Sequence, residues 1–167
     1  ISNVGGILAY SEGDGAQIID ASLTVSDLDD ANIESAIIRI SSGFVSTEDT
    51  LSFSSIGNIT GSYNSATGIL TLSGVDTLAN YETALESVTY ENSNTTHPSP
   101  VDRTISWTIN DGTVNSATVT STVTVSPVND AAQLSLSAAV DFTALTALTP
   151  TLMSATVQQQ SSLNTYA

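Results

Sequence analysis

Asp27 and Asp29 flank Leu28, and Asp30 follows directly. At the end of a β-strand that spacing points two carboxylates the same way and turns the residue between them toward the core. Two like charges held so close repel unless a cation sits between them. A hard cation such as Ca2+ takes about 6 to 8 oxygen ligands and accepts carboxylate, amide and backbone oxygens together. Asn129 and Asp130 offer the same donor types elsewhere, just after Pro127. The competing reading of Asp27, Asp29 and Asp30 is a solvated acidic turn.

Other reactive residue types lead nowhere comparable. His97 is the only histidine and lies in a loop with Pro98 and Pro100; with no cysteine and no second histidine it has no partners for a transition metal. Serines are abundant, but none sits in a nucleophile elbow with a histidine to activate it. Trp107 alternates with Ile105 and Ile109, which places it in a core rather than on a sugar-stacking surface. No catalytic residue and no organic cofactor is expected.

Composition sets the class of partner. The chain of 167 residues has 17 acidic and 2 basic side chains, a formal net charge of -15. Nucleic acid is excluded, because phosphates require a basic surface. Disorder is not implied, since 40% of the residues are hydrophobic and fall in patterned runs. Only Arg39 and Arg103 can offset acids internally, so most carboxylates are expected to be solvated or paired with metal ions. The absence of cysteine excludes disulfides and thiolate sites. No run is long enough to span a bilayer, and a signal or anchor is expected outside this chain.

The elements that must position the acids read as strands. Ile19, Ala21, Leu23 and Val25 share one face, as do Ala36, Ile38 and Ile40, and Ile105, Trp107 and Ile109. Ala117, Val119, Ser121, Val123 and Val125 form a last alternating row that Pro127 stops, because proline has no N–H to donate. Asn64 to Gly68 and Asn110-Asp111-Gly112 are turns with residues that tolerate positive φ. Leu78, Tyr81 and Leu85 follow Thr77 at helical spacing, so Thr77 caps a short helical crossover between two sheets. The expectation is an all-β, antiparallel sandwich over residues 1–130, of ordinary single-domain size.

Taken as a set, Tyr10-Ser-Glu12-Gly-Asp-Gly, Ser26-Asp27-Leu-Asp29-Asp30, Ile59 to Gly74, Leu85 to Asn92, Asp102 to Gly112 and Pro127-Val-Asn-Asp130 resemble the cadherin-like tandem repeats of large bacterial surface and RTX-type adhesins. The resemblance covers residues 1 to about 130. It implies an immunoglobulin-like sandwich stiffened by calcium, non-enzymatic and extracellular, either secreted or on the cell surface, whose partners are neighbouring repeats or copies of itself. It also implies a ligand set. Glu12, Glu82, Asn129 and Asp130 would gather at the C-terminal pole, and Asp27, Asp29 and Asp111 at the opposite one. Around Glu82 the local sequence is Asn80-Tyr81-Glu82, so an amide replaces one carboxylate of the family's Asp-Arg-Glu motif. The same resemblance makes the N-glycan acceptor patterns Asn58-Ile59-Thr60 and Asn94-Thr95-Thr96 accidental matches.

Residues 131–167 break the pattern. They hold one acid, Asp141, against 16 before them, and no turn cluster. Leu134 and Leu136 alternate like a strand, whereas Leu145, Leu148 and Leu152 fit a helix equally well. The segment reads as the first strands of a following repeat, a flexible tail, or a donor strand for another copy. The last reading makes the chain a subunit of a self-assembling filament.

Overall fold

The computed structural model describes residues 1–131; the expectations for residues 132–167 lie outside the described residues. Among the described residues, nine strands and one helix run in the order β1 (Ile7–Ser11), β2 (Gln17–Ile18), β3 (Asn32–Ser42), β4 (Asp49–Ser52), β5 (Thr60–Asn64), β6 (Ile69–Thr77), α1 (Leu78–Glu86), β7 (Thr89–Asn92), β8 (Arg103–Asn110) and β9 (Val119–Ser126). A six-stranded sheet, β1-β9-β8-β3-β6-β5, faces a three-stranded one, β2-β7-β4. This is an all-β sandwich with a helical crossover.

Period-2 patterning supplies the core. Ala36, Ile38 and Ile40 on β3, Ile105, Trp107 and Ile109 on β8, and Ser121, Val123 and Val125 on β9 all turn inward and are buried. Trp107 lies between the sheets and its indole N–H donates to Ser121 Oγ at 2.8 Å, so the hydroxyl in the alternating row satisfies the one polar atom of the largest core side chain. Thr77 caps α1, its hydroxyl accepting from Asn80 N–H at 3.2 Å. Tyr81 and Leu85 are buried and Leu78 half-buried.

Three expectations are corrected. The sandwich is not wholly antiparallel, since β1 pairs parallel with β9, Tyr10 opposite Val125. Alternation within a strand reports its buried face and carries no information on a neighbour's direction. Ala21 is exposed rather than on the core row, because Asp20 Oδ1 accepts from Ser22 N–H at 3.1 Å and folds the backbone into a turn there. Leu28 is 104% exposed and does not face the core.

Strand directions define the poles. Asn32 pairs with Thr77 and Ser35 with Asn110 at one end of the large sheet. Ser11 pairs with Ser126 at the other. The chain enters beside Thr24, which bridges to Ser2, and leaves β9 at the opposite end.

Candidate functional site

At the entry pole the acids sit in turns. Asp27 Oδ1 accepts from Asp29 N–H at 3.1 Å and from Asp30 N–H at 3.0 Å. This bend carries the chain out of its extended path and throws Leu28 into solvent; an aspartate bonding the backbone two residues on is the ordinary signature of such a turn. One carboxylate oxygen from each of Asp27, Asp29 and Asp30 lies within 4.8 Å of the other two. Hydrogen bonds from Asp30 and Asp29 N–H hold Asp27 below the usual carboxylate range. Asp29 is pushed up, first by the hydrogen bond it shares with Asp27, then by repulsion from Asp27 and Asp30. Charge is therefore accumulated here, and among the described residues no arginine pairs with it.

Asp111 forms a second such turn, its Oδ1 accepting from Thr113 N–H at 2.7 Å and Val114 N–H at 2.8 Å. Asp27 and Asp111 line one small cavity of about 80 Å³ together with Ile1, Ser26 and Ile33. The β3–β8 register brings them there, since Ser35 opposite Asn110 sets the following turn beside the Asp27 loop.

At the exit pole Glu12 lies against the linker. Its backbone N–H donates to Ser126 O at 3.0 Å, and its Oε2 accepts from Val128 N–H at 2.8 Å. The other oxygen, Oε1, is buried and has no hydrogen-bond partner among the described residues. Leaving a carboxylate oxygen dehydrated and unpaired is costly, and a cation coordinated there would remove that cost. Asn129 and Asp130 are exposed immediately beyond Val128.

Glu82 joins neither group as expected. Its Oε2 accepts from Val25 N–H at 2.8 Å, two residues before Asp27, so it lies toward the entry pole and not beside Glu12. The helix starts where β6 ends opposite Asn32, and no local pattern in Asn80-Tyr81-Glu82 encodes that direction.

Four other carboxylates have partners inside the protein. Arg103, 0% exposed, donates through Nε to both oxygens of Asp49 at 3.2 Å and through Nη2 to Asp49 Oδ1 at 3.1 Å and Glu48 Oε2 at 3.3 Å. Tyr90 adds its hydroxyl to Asp49 Oδ1 at 2.7 Å. Asp20 accepts from Gly5, Gly6 and Ser22 N–H. Asp76 accepts from Asn58 N–H at 2.7 Å, Thr77 N–H at 2.8 Å and Asn80 Nδ2 at 2.7 Å. Composition singled out Arg103 as a possible counter-charge; nothing in the spacing named Asp49, 54 residues away.

The class that the fold and the site define is an all-β sandwich with an acidic cluster, Asp27, Asp29 and Asp30, at one pole. No family model matches the chain, and no solved structure matches it. Over 108 residues, 62% of the chain, it is 41% identical to a stretch of Halomucin from Haloquadratum walsbyi. The matched part spans 1% of that relative's length. The chain is thus similar to one small stretch of a very long protein. No helix among the described residues is long and apolar enough to cross a membrane.

Proposed function

We propose that residues 1–130 form a non-enzymatic structural module of an extracellular, adhesion-type surface protein, stiffened by calcium at its poles. The observation that carries the reading is Glu12 Oε1, a buried carboxylate oxygen that has no partner among the described residues and lies beside the exit linker. Glu12, with Asn129 and Asp130, would hold one ion. Asp27, Asp29 and Asp111 would hold another at the entry pole, with Asp30 beside them and Glu82 nearby. Oxygen-only donors suit calcium rather than a softer metal. Entry and exit at opposite ends suit a module that transmits length along a chain, and similarity to a small stretch of a very long protein agrees with a tandem role. Calcium titration of the module by isothermal calorimetry, with Glu12→Gln beside the parent, tests it. The variant keeps an acceptor for Val128 N–H and should lose one class of bound ion. An unchanged stoichiometry removes the exit site, and no binding in either chain removes the calcium reading.

A second reading, the filament subunit, draws support from the edges. β1 and β5, the outer strands of the large sheet, carry no charged residue, although charge on an edge is a common guard against strand addition. A donor strand from residues 131–167 of another copy would find main-chain partners there. Deleting residues 131–167 and following assembly by light scattering tests this. Equal assembly with and without the segment refutes it.

A further inference from the structure

The two N-glycan acceptor patterns are placed in opposite circumstances. Asn58 is exposed in the turn before β5, and Thr60 is exposed as the first residue of that strand. Ile59 between them is only 1% exposed. Because successive side chains of an extended chain alternate in direction, burying Ile59 turns the Asn58 amide outward, with the Thr60 hydroxyl on the same side, where it donates to Ser73 O at 3.2 Å. The backbone of the turn is pinned from behind, with Asn58 N–H donating to Asp76 Oδ2 at 2.7 Å and Ile59 N–H to Ile56 O at 3.0 Å. The Asn58 side chain makes one long contact, Nδ2 to Val75 O at 3.4 Å. An amide carrying a saccharide keeps one N–H, enough to retain it.

Asn94 is fully engaged. Its Nδ2 donates to Glu48 Oε1 at 3.0 Å and His97 O at 2.9 Å. Its Oδ1 accepts from Thr96 N–H, Thr96 Oγ1 and His97 N–H. The amide and the hydroxyl of that pattern are spent on each other and on the loop beside the Arg103 network. A saccharide at Asn94 would displace at least one of these contacts from half-buried surroundings.

Against the expectation that both patterns are accidental, we infer that Asn58 is an acceptor for an N-linked saccharide and that Asn94, despite the same pattern, is closed to one in the folded chain. In the step, Asn58 Nδ2 bonds to the anomeric carbon of a saccharide carried on a lipid phosphate or diphosphate. The bond from that carbon to the phosphate oxygen breaks, the lipid phosphate leaves with the electron pair, and one amide proton passes to a base of the transferring enzyme. The glycan would project from the end of the sandwich where β5 begins, clear of the exit linker and of the Arg103 network. This rests on the extracellular reading only in that such donors are met on a secretory route.

The test sends the full chain through a yeast secretory pathway behind an added signal, and maps the secreted, folded protein by peptide mass spectrometry before and after peptide-N-glycosidase. Saccharide on the Asn58 peptide, its loss in both Asn58→Gln and Thr60→Val, and an unmodified Asn94 peptide are expected. An unmodified Asn58 in the secreted parent overturns the inference, as does comparable occupancy of Asn94. Because the assay forces the chain onto a secretory route and needs no calcium, a negative result counts against Asn58 and leaves the proposed function untouched.

Discussion

Replacing Arg103 by Met should be among the most damaging single changes in the sandwich. The substitution keeps an apolar stem in a site that is 0% exposed and removes the guanidinium. Asp49, also fully buried at its side chain, retains Tyr90 Oη–H at 2.7 Å and Val45 N–H at 2.7 Å but loses its counter-charge. The carbonyls of Ser99 and Val101 lose the Nη1 donor they share. Breaking a buried ion pair from one side costs about 3–5 kcal/mol. The Glu48 contact adds little, since that carboxylate is partly exposed and half-screened pairs contribute under about 1 kcal/mol. For a unit of this size each kcal/mol moves Tm by roughly 3–6 °C, so Tm should fall by about 10–25 °C. Urea denaturation followed by Trp107 fluorescence and circular dichroism, at fixed calcium, gives the free energy. Asp49→Asn and the double variant complete a cycle whose coupling should reach about 2–3 kcal/mol. A cost for Arg103→Met under about 1 kcal/mol, or strict additivity in the double variant, would show that the pair is no more than a surface contact.

Acid should unfold the protein through its internally bonded carboxylates. Asp20 and Glu48 are held below their ordinary values of 3.8 and 4.5 because hydrogen bonds outweigh the opposing effect of burial, and Asp76 by bonds from Asn58, Thr77 and Asn80. Lowered values mean stability present in full above the unfolded pKa and lost as pH falls through the folded one, so Tm should hold to about pH 5 and drop below about pH 4; a Tm that rises steadily on acidification contradicts this. Asp29 has the opposite sign, and calcium should raise Tm, adding about 2.7 kcal/mol of stability at 100 times its Kd. A chelator that leaves Tm unchanged at low ionic strength counts against both sites. Asp27→Asn with Asp29→Asn keeps the turn acceptor and should abolish the entry-pole response without unfolding; calorimetry showing undiminished ions acquits the pair. Trp107→Ala should cost about 3–5 kcal/mol and leave Ser121 Oγ without its donor, while retained stability would place the indole outside the core.

Patterns confined to one element were legible in the sequence. The inward rows of β3 and β8 follow from alternation, and α1 follows from Thr77 and the 3.6-residue spacing of Leu78, Tyr81 and Leu85. Gly68 and Gly112 have φ of 68° and 98° in the two expected turns. Relations between elements were not legible. The parallel β1–β9 pair, the Asp49–Arg103 ion pair and the bond from Glu82 to Val25 each join segments far apart in the chain. Leu28 was misplaced for a different reason: an alternating Asp-x-Asp fits a strand end and an aspartate turn equally well, and the hydrogen bonds from Asp29 and Asp30 decide between them.

Counting donors on each carboxylate separates the acids more sharply than counting charge. Asp20, Asp49 and Asp76 receive N–H or O–H donors on both oxygens. They are complete within one sandwich and need nothing from outside it. Among the described residues Glu12 is satisfied on one oxygen and not on the other, and in the Asp27 group it is Asp27 that accepts from Asp29 and Asp30 N–H while Asp29 bears the repulsion. These incomplete carboxylates lie where the chain enters and leaves the sandwich, and the complete ones stitch loops to sheets within it. A formal charge of -14 over residues 1–130, from 16 acids and two arginines, opposes compaction. Cations drawn to the incomplete oxygens would relieve that repulsion and fix the angle of the linker in the same step, so stiffness at the joints and stability of the sandwich should rise together with calcium.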